Sequence, residues 1–213
     1  MFMSDVMMSN VITIPSRTSL ADARRIMESH RLRRLPVVDR GKLVGIVTRD
    51  SLNRAGPYQV TNFNIHDITR VLNKTQVKEV MGKDLVTVSP DATVEEGVTL
   101  AQNKRVGALL VVDGGRLVGI ATTNDFFYKI LNPILGIGQP GSRLVVRNCR
   151  GTGDIERVVA AVNKLDLEVI TMFMLPIPER EARNFVVHLR SEDPSGLIAE
   201  LNLLGFSVER RAR

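Results

Sequence analysis

Two short phrases in this chain hold side chains that could work together chemically. Thr122-Thr-Asn-Asp125 sets a hydroxyl and a carboxylate three residues apart, directly after the apolar run Leu117-Val-Gly-Ile-Ala121. Thr48-Arg-Asp-Ser51 does the same after Leu43-Val-Gly-Ile-Val47, but with a different ending. If a helix starts at each Thr, its backbone N–H groups and the hydroxyl form an end suited to phosphate. A carboxylate one turn on, at Asp125, is placed to accept both hydroxyls of a ribose. The same spacing is that of a capping box, with Asp in place of the usual Glu, and the two readings are compatible. In the other phrase Ser51 holds the position of Asp125, and Asp50 comes one residue early. One residue on a helix is a turn of about 100°, so Asp50 does not substitute.

Other reactive residues are sparse. The three His are scattered and Cys149 is the single Cys. No Cys/His spacing suits a metal, and neither a nucleophile–base pair nor a P-loop is present. Catalytic residues and metal ligands are therefore assigned to none, and the chain is expected not to be an enzyme. His66 reads as a surface residue of a short bridging helix. His188 alternates with Val187 and Leu189, which puts it on the less buried side of a strand, at the surface or an interface. Met172 and Met174 read as core or interface fillers.

The net charge of +6 fits a solvated basic surface or an anionic ligand such as a nucleotide phosphate. Nucleic acid is disfavoured despite the run His30-Arg-Leu-Arg-Arg34: no reader motif is visible, Trp is absent and aromatics are 4% of residues. A lone Cys suits a reducing cytoplasm. The opening MFMSDVMM lacks the features of a signal peptide, and no apolar run approaches the roughly 20 residues of a membrane helix. A cytoplasmic protein without membrane contact is expected.

The two phrases belong to a longer repeat. Ser4–Arg54 aligns without a gap on Lys78–Tyr128, so that Val6-Met7 meets Val80-Met81 and Leu35-Pro-Val-Val-Asp39 meets Leu109-Leu-Val-Val-Asp113. Each copy predicts a short extended piece, a helix, a strand, a Gly-containing tight turn, a returning strand and a second helix that starts at the Thr. The first helix of copy one carries Leu20, Ala23, Arg24 and Met27 on its inner stripe, with Ser19 or Thr18 as cap. The unit is β-α-β-β-α, too small to cover its own sheet, so two copies should pack together. The expected boundaries are 1–56 and 78–135, joined by a bridge over 57–77 with a short helix at Asn64–Lys74.

A Gly/Pro-rich linker over 136–142 precedes a third part, 143–213. It predicts a strand, a helix with Ile155, Val158, Val159, Val162 and Leu165 on one face, and a strand pair joined by Pro176–Ala182. A helix capped by Asp193 or Ser195 and ended by Gly205 follows, then a last strand. The order β-α-β-β-α-β is a split βαβ, ferredoxin-like arrangement. The whole is thus an α/β (α+β) chain.

The repeated pattern, with Leu-Pro-Val-Val-Asp39 and Gly119-Ile-Ala-Thr-Thr-Asn-Asp125, resembles a tandem CBS-domain pair, a Bateman module. The third part resembles an ACT-type domain through Asp193-Pro-Ser-Gly-Leu-Ile-Ala-Glu, although Arg147–Arg157 lacks the acidic and Pro positions common in that family's first loop. The whole chain resembles the acetoin-utilisation B (AcuB-like) family. That resemblance implies a regulatory sensor with an adenosine-containing ligand between repeats: AMP, ADP, ATP, S-adenosylmethionine or NADH as regulatory ligand, no cofactor being required. Carried onto this chain, a stronger cleft would combine Met7, Ile12, Leu32, Arg33 and Arg34 with Ile120, Thr122, Asn124 and Asp125. A second, degenerate cleft would combine Met81, Val86, Val106 and Gly107 with Ile46, Thr48, Asp50 and Ser51. A homodimer through the CBS pair or the ACT part is expected, coupled to a protein partner that the sequence does not identify. The alternatives are a scaffold without nucleotide, or an amino-acid sensor acting through the ACT part.

Overall fold

The structure, a computed structural model, describes residues 1–55, 72–176 and 183–211. Most of the expected bridge, with His66, lies outside the described residues, as does nearly all of the loop at Pro176–Ala182. The chain divides into two compact units, Met1–Phe126 and Phe127–Arg213.

The first unit runs α1 (Met3–Val6), α2 (Leu20–Ser29), β1 (Arg34–Asp39), β2 (Lys42–Thr48) and α3 (Arg49–Ala55). A 3-10 turn at Val77–Glu79 leads into β3 (Thr87–Val88), α4 (Val94–Asn103), β4 (Ala108–Asp113), β5 (Arg116–Thr122) and α5 (Thr123–Phe126). Helix α2 starts where Ser19 Oγ accepts the Asp22 N–H at 3.1 Å, and α4 starts in a reciprocal box between Thr93 and Glu96. The strands pair as the hairpins β1–β2 and β4–β5, with β3 parallel to β4. Both hairpins turn on two residues of positive φ, Arg40-Gly41 (50° and 78°) and Gly114-Gly115 (51° and 77°). That is the type I′ turn whose twist matches paired strands.

Leu20, Ala23 and Met27 are buried with Leu35, Val37 and Val47, each large side chain contributing about 1.5–3 kcal/mol. Arg24, expected on that stripe, carries its charge outward to Glu28 (3.5 Å) and Asn53 (3.2 Å).

The repeat is also a symmetry of contacts, and the contacts cross. Met8 exchanges backbone hydrogen bonds with Ile120 on β5 at 2.8 and 3.1 Å. Its counterpart Gly82 does so with Ile46 on β2 at 2.8 and 3.0 Å. Phe2 bridges Thr93, and the matching Gln76 bridges Ser19. The stretch 1–8 is therefore built onto the second repeat, and 75–82 onto the first. Backbone donors that would face water at the start of each copy are satisfied by the other copy, which ties the two together.

The second unit opens with a π-helical segment (Phe127–Leu131) and α6 (Asn132–Leu135), ended by Gly136 at φ 61°. Then come β6 (Ser142–Cys149), α7 (Thr152–Lys164), β7 (Val169–Pro176), β8 (Arg183–Leu189), α8 (Ser195–Leu203) and β9 (Ser207–Arg211). The sheet order is β7-β8-β6-β9 with antiparallel neighbours throughout. Leu144, Val146, Val187 and Leu189 leave one face of the sheet and bury against Val158, Ala161 and Val162 of α7 and Leu197 and Leu201 of α8. Helix α8 closes at Gly205 (φ 85°), with Gly205 N–H on the Asn202 carbonyl and Phe206 N–H on that of Leu201, a Schellman end.

One expectation needs correcting here. His188 does leave the sheet on the face opposite that core, but it is buried, 2% exposed. What covers it is the stretch expected to be a linker. Gly136 lies so close that a Cβ there would overlap the His188 imidazole, and one on Gly141 would run into the Leu189 carbonyl. Residues 127–135, assigned to the second repeat by the sequence, cluster by contact with this unit.

Candidate functional site

The two phrases fold onto equivalent frames, each at the junction of a returning strand and a helix. At Thr122 the backbone N–H donates to Asp125 Oδ2 at 2.8 Å, and the Thr122 hydroxyl donates to the same oxygen at 2.6 Å. Both donors therefore fall on one carboxylate oxygen. That half-buried carboxylate is held in a fixed orientation, and its other oxygen retains its own acceptor capacity.

At Thr48 the box closes on itself. Ser51 Oγ accepts from Thr48 N–H at 3.0 Å and donates to the Thr48 carbonyl at 2.9 Å. Ser51 N–H donates to Thr48 Oγ1 at 3.0 Å. The hydroxyl's donor and one acceptor site are spent locally, and Asp50 is exposed.

Beside each frame stands the segment contributed by the other repeat. The Met7 side chain packs flat on Gly119, where any Cβ would overlap its sulfur, and Met81 packs in the same way on Gly45. These two glycines permit the exchange, since a side chain on either strand would displace the methionine. Met7 is thereby brought next to Ile120, whose backbone is bonded to Met8. In the second set Met81 comes next to Ile46, bonded to Gly82.

The remaining predicted residues fall as follows. Ile12 and Leu32 are partly buried against the first repeat's core. Arg33 is exposed, and its carbonyl accepts the Arg49 N–H at 2.9 Å. Gly107 mirrors it, accepting the Thr123 N–H at 3.3 Å. Val86 accepts the Leu110 N–H at 3.1 Å, Val106 is half-buried at the end of α4, and Asn124 is exposed on α5. Arg34, assigned with the first set, reaches residues of the second: a Cβ on Gly107 would lie 2.8 Å from its Nη2 and 3.6 Å from Thr123 Oγ1. Sequence spacing gave no signal of this crossing, because the partner lies in the other copy.

Elsewhere, Cys149 is buried, and that burial, with Asp154 nearby, raises its thiol pKa, which keeps it a poor nucleophile. Among the described residues no three His, Cys, Asp or Glu converge as a metal site. None of the described helices is long and apolar enough to cross a membrane.

The family model for the CBS domain matches residues 3–57 and 77–132, just over half of the chain. Among curated proteins, inosine-5'-monophosphate dehydrogenase of Korarchaeum cryptofilum is 32% identical over 161 residues, 75% of this chain but 30% of that protein. The chain thus spans under a third of such a dehydrogenase. A CBS domain-containing protein of Dictyostelium discoideum is 32% identical over 134 residues, 61% of this chain and 92% of that one. Among solved structures, a Vibrio cholerae protein named for acetoin utilization (AcuB) superposes with a TM-score of 0.53 at 31% identity, covering 62% of this chain and 91% of its own.

Proposed function

We infer that this chain, which belongs to the CBS-domain family, is a non-enzymatic regulatory protein that binds an adenosine-containing ligand between its two CBS repeats. The observation that carries the reading is the oriented carboxylate of Asp125, on a strand–helix junction that the other repeat's segment flanks. Asp125 would hold the ribose hydroxyls, and the start of α5 a phosphate, joined by the Thr122 hydroxyl once a ligand draws its proton away from Asp125. Met7, Ile12, Leu32 and Ile120 would supply the apolar floor for the base, with Asn124 beside it. Arg33 would meet further phosphates, whereas Arg34, expected to join it, lies beside Gly107 of the second set. The set around Ser51 lacks the carboxylate and is read as structural or tuned to another ligand.

In the second unit the strand order β7-β8-β6-β9 and its two helices on one face support an ACT-type, ferredoxin-like reading. Exposed Tyr128, Leu131, Ile134 and Leu203 support a homodimer. Ligand binding would act by favouring one of two conformations that differ in affinity for it.

Calorimetric titration of AMP, ADP, ATP, S-adenosylmethionine and NADH into the wild type and Asp125→Ala tests the reading. Saturable binding near one ligand per chain, lost in the variant, is the expected result. No binding by any of the five would leave Thr122 and Asp125 as a helix cap and the repeats as a scaffold.

A further inference from the structure

The buried His188 belongs to a row that no part of the proposed adenosine site uses. The strand register sets Thr171 opposite His188, His188 opposite Arg143, and Arg143 opposite Arg211. Residues directly opposite on neighbouring strands share a face, so these four side chains cross the sheet side by side. Their face is the one opposite the apolar core, because Leu144 and Val187, one residue along, belong to that core.

Part of this row is roofed by the glycine-rich segment 136–141. Together they enclose a cavity of about 300 Å³ lined by Gly136, Gly138, Gln139, Arg143, His188 and Arg211, among others. None of its described lining residues is acidic. The nearby carboxylate, Glu209, is engaged by Arg147 and by Arg211 at 3.2 Å. Arg143 anchors the roof by donating from Nη2 to the Leu135 carbonyl, while its Nε is buried without a hydrogen-bond partner. A buried donor left unmatched is costly, so such an atom next to a cavity marks a place for an acceptor.

We propose that this cavity is a binding site for a small oxyanion, a phosphate- or carboxylate-bearing molecule held by Arg143 and Arg211 over His188. Guanidinium forks match either group with paired hydrogen bonds. A volume near 300 Å³ is at the small end for ligand pockets, which suits a compact molecule rather than a nucleotide. The site lies away from the Arg147–Arg157 connection, where an ACT-type ligand loop would be sought. It does not depend on the adenosine reading.

The test uses the full chain, with His188 ring signals followed by NMR during separate titrations of inorganic phosphate and of malonate. Saturable movement of those signals by either anion is expected, with affinity at least tenfold weaker in Arg143→Gln. Arg211→Gln, on an exposed edge residue, should weaken binding several-fold with the fold intact, which covers the case where the first variant unfolds. Phosphate captured between the repeats would not make the His188 response depend on Arg211, which separates the two sites. Response to phosphate alone identifies a phosphate-bearing ligand, and response to malonate alone a carboxylate. His188 signals unmoved by both anions at millimolar concentration, or movement indifferent to Arg211→Gln, would overturn the proposal.

Discussion

The two strand–helix junctions share a backbone and differ at three side chains, Arg49 for Thr123, Asp50 for Asn124 and Ser51 for Asp125, of which the last closes the cap. At Thr48 the Ser51 hydroxyl turns back onto the backbone at 2.9–3.0 Å, so the box is complete as a cap and offers little more. At Thr122 the carboxylate does the same capping through one oxygen at 2.6–2.8 Å. Its charge and second oxygen are left over. Capping and recognition are thus not rival explanations of Asp125: the cap costs one oxygen and fixes the direction of the other. On the proposed reading, the difference teaches that a repeated fold can confine recognition to one copy through the residue that closes its cap, leaving the architecture of both intact.

The largest effect should come from exchanging those endings. Removing the carboxylate with Asp125→Ala deletes hydrogen bonds to a charged acceptor, each worth about 1.5–3 kcal/mol. A roughly 10- to 100-fold loss of adenosine-ligand affinity is expected by calorimetry. The reverse change, Ser51→Asp, keeps a cap, since Asp can accept from Thr48 N–H as Asp125 does from Thr122. It should raise stoichiometry from one ligand per chain towards two. A wild type that already binds two ligands with equal affinity would erase the functional distinction between the junctions.

A second comparison concerns packing rather than charge. Met3 of α1 lies on Gly97 of α4, where a Cβ would overlap its sulfur. The equivalent pair in the other repeat is Val77 with Ala23, both fully buried. A longer side chain meets a bare backbone in one copy, and a shorter one meets a methyl group in the other, so filled volume is conserved across the exchange. Gly97→Ala should therefore cost about 1–3 kcal/mol of overpacking, partly offset by about 1 kcal/mol of improved helix propensity. Adding Met3→Val should recover the loss and leave the helix gain. Urea unfolding of the two single variants and the double variant closes the cycle, with a coupling of about 1–2 kcal/mol expected. Additive single effects would mean that α1 does not press on α4 in solution.

Much of this was legible in the sequence because the signals are local. The helix cap at Ser19, the Gly-containing tight turns and the Gly205 helix end each depend on neighbours a few residues away, and the ungapped repeat is a direct match of one stretch to another. The β-α-β-β-α order of the second repeat and the β-α-β-β-α-β order from β6 onward follow from them, while in the first repeat the expected opening strand is reduced to the single bridge Ile14–Val37. Within the candidate site, the hydroxyl–carboxylate pair was readable for the same reason.

What spacing alone did not reveal is which copy a segment packs on. Met8 and Gly82 stand at equivalent places, and a pattern that repeats is silent about exchange between its halves. Arg34 is the same case, its guanidinium lying beside Gly107 of the other copy. His188 shows a different limit. Alternation assigned its face correctly, but exposure depends on what covers that face, and the cover is a glycine-rich stretch with no periodicity of its own.

The smallest difference between the repeats is electrostatic and sits at the end of β1. Asp39 Oδ1 accepts the Ser16 backbone N–H at 2.9 Å. Hydrogen bonding by the Ser16 side chain and backbone holds the Asp39 carboxyl below its ordinary value of 3.8. In the second repeat Asp113 stands in the place of Asp39, and Pro90, which has no N–H, in the place of Ser16. A carboxyl whose folded pKa is depressed adds stability that is complete above its unfolded value and is lost as pH falls through the folded one. The acid-sensitive contact therefore belongs to the first repeat, and its loss begins only below about pH 3.8. A carboxyl ¹³C titration of Asp39 should give a midpoint below that value in the wild type. Ser16→Pro, which copies the second repeat by removing both the N–H and the hydroxyl, should return the midpoint towards the ordinary range. A midpoint unmoved by Ser16→Pro would show that the Arg17 and Arg40 charges, not the hydrogen bonds, set the Asp39 titration.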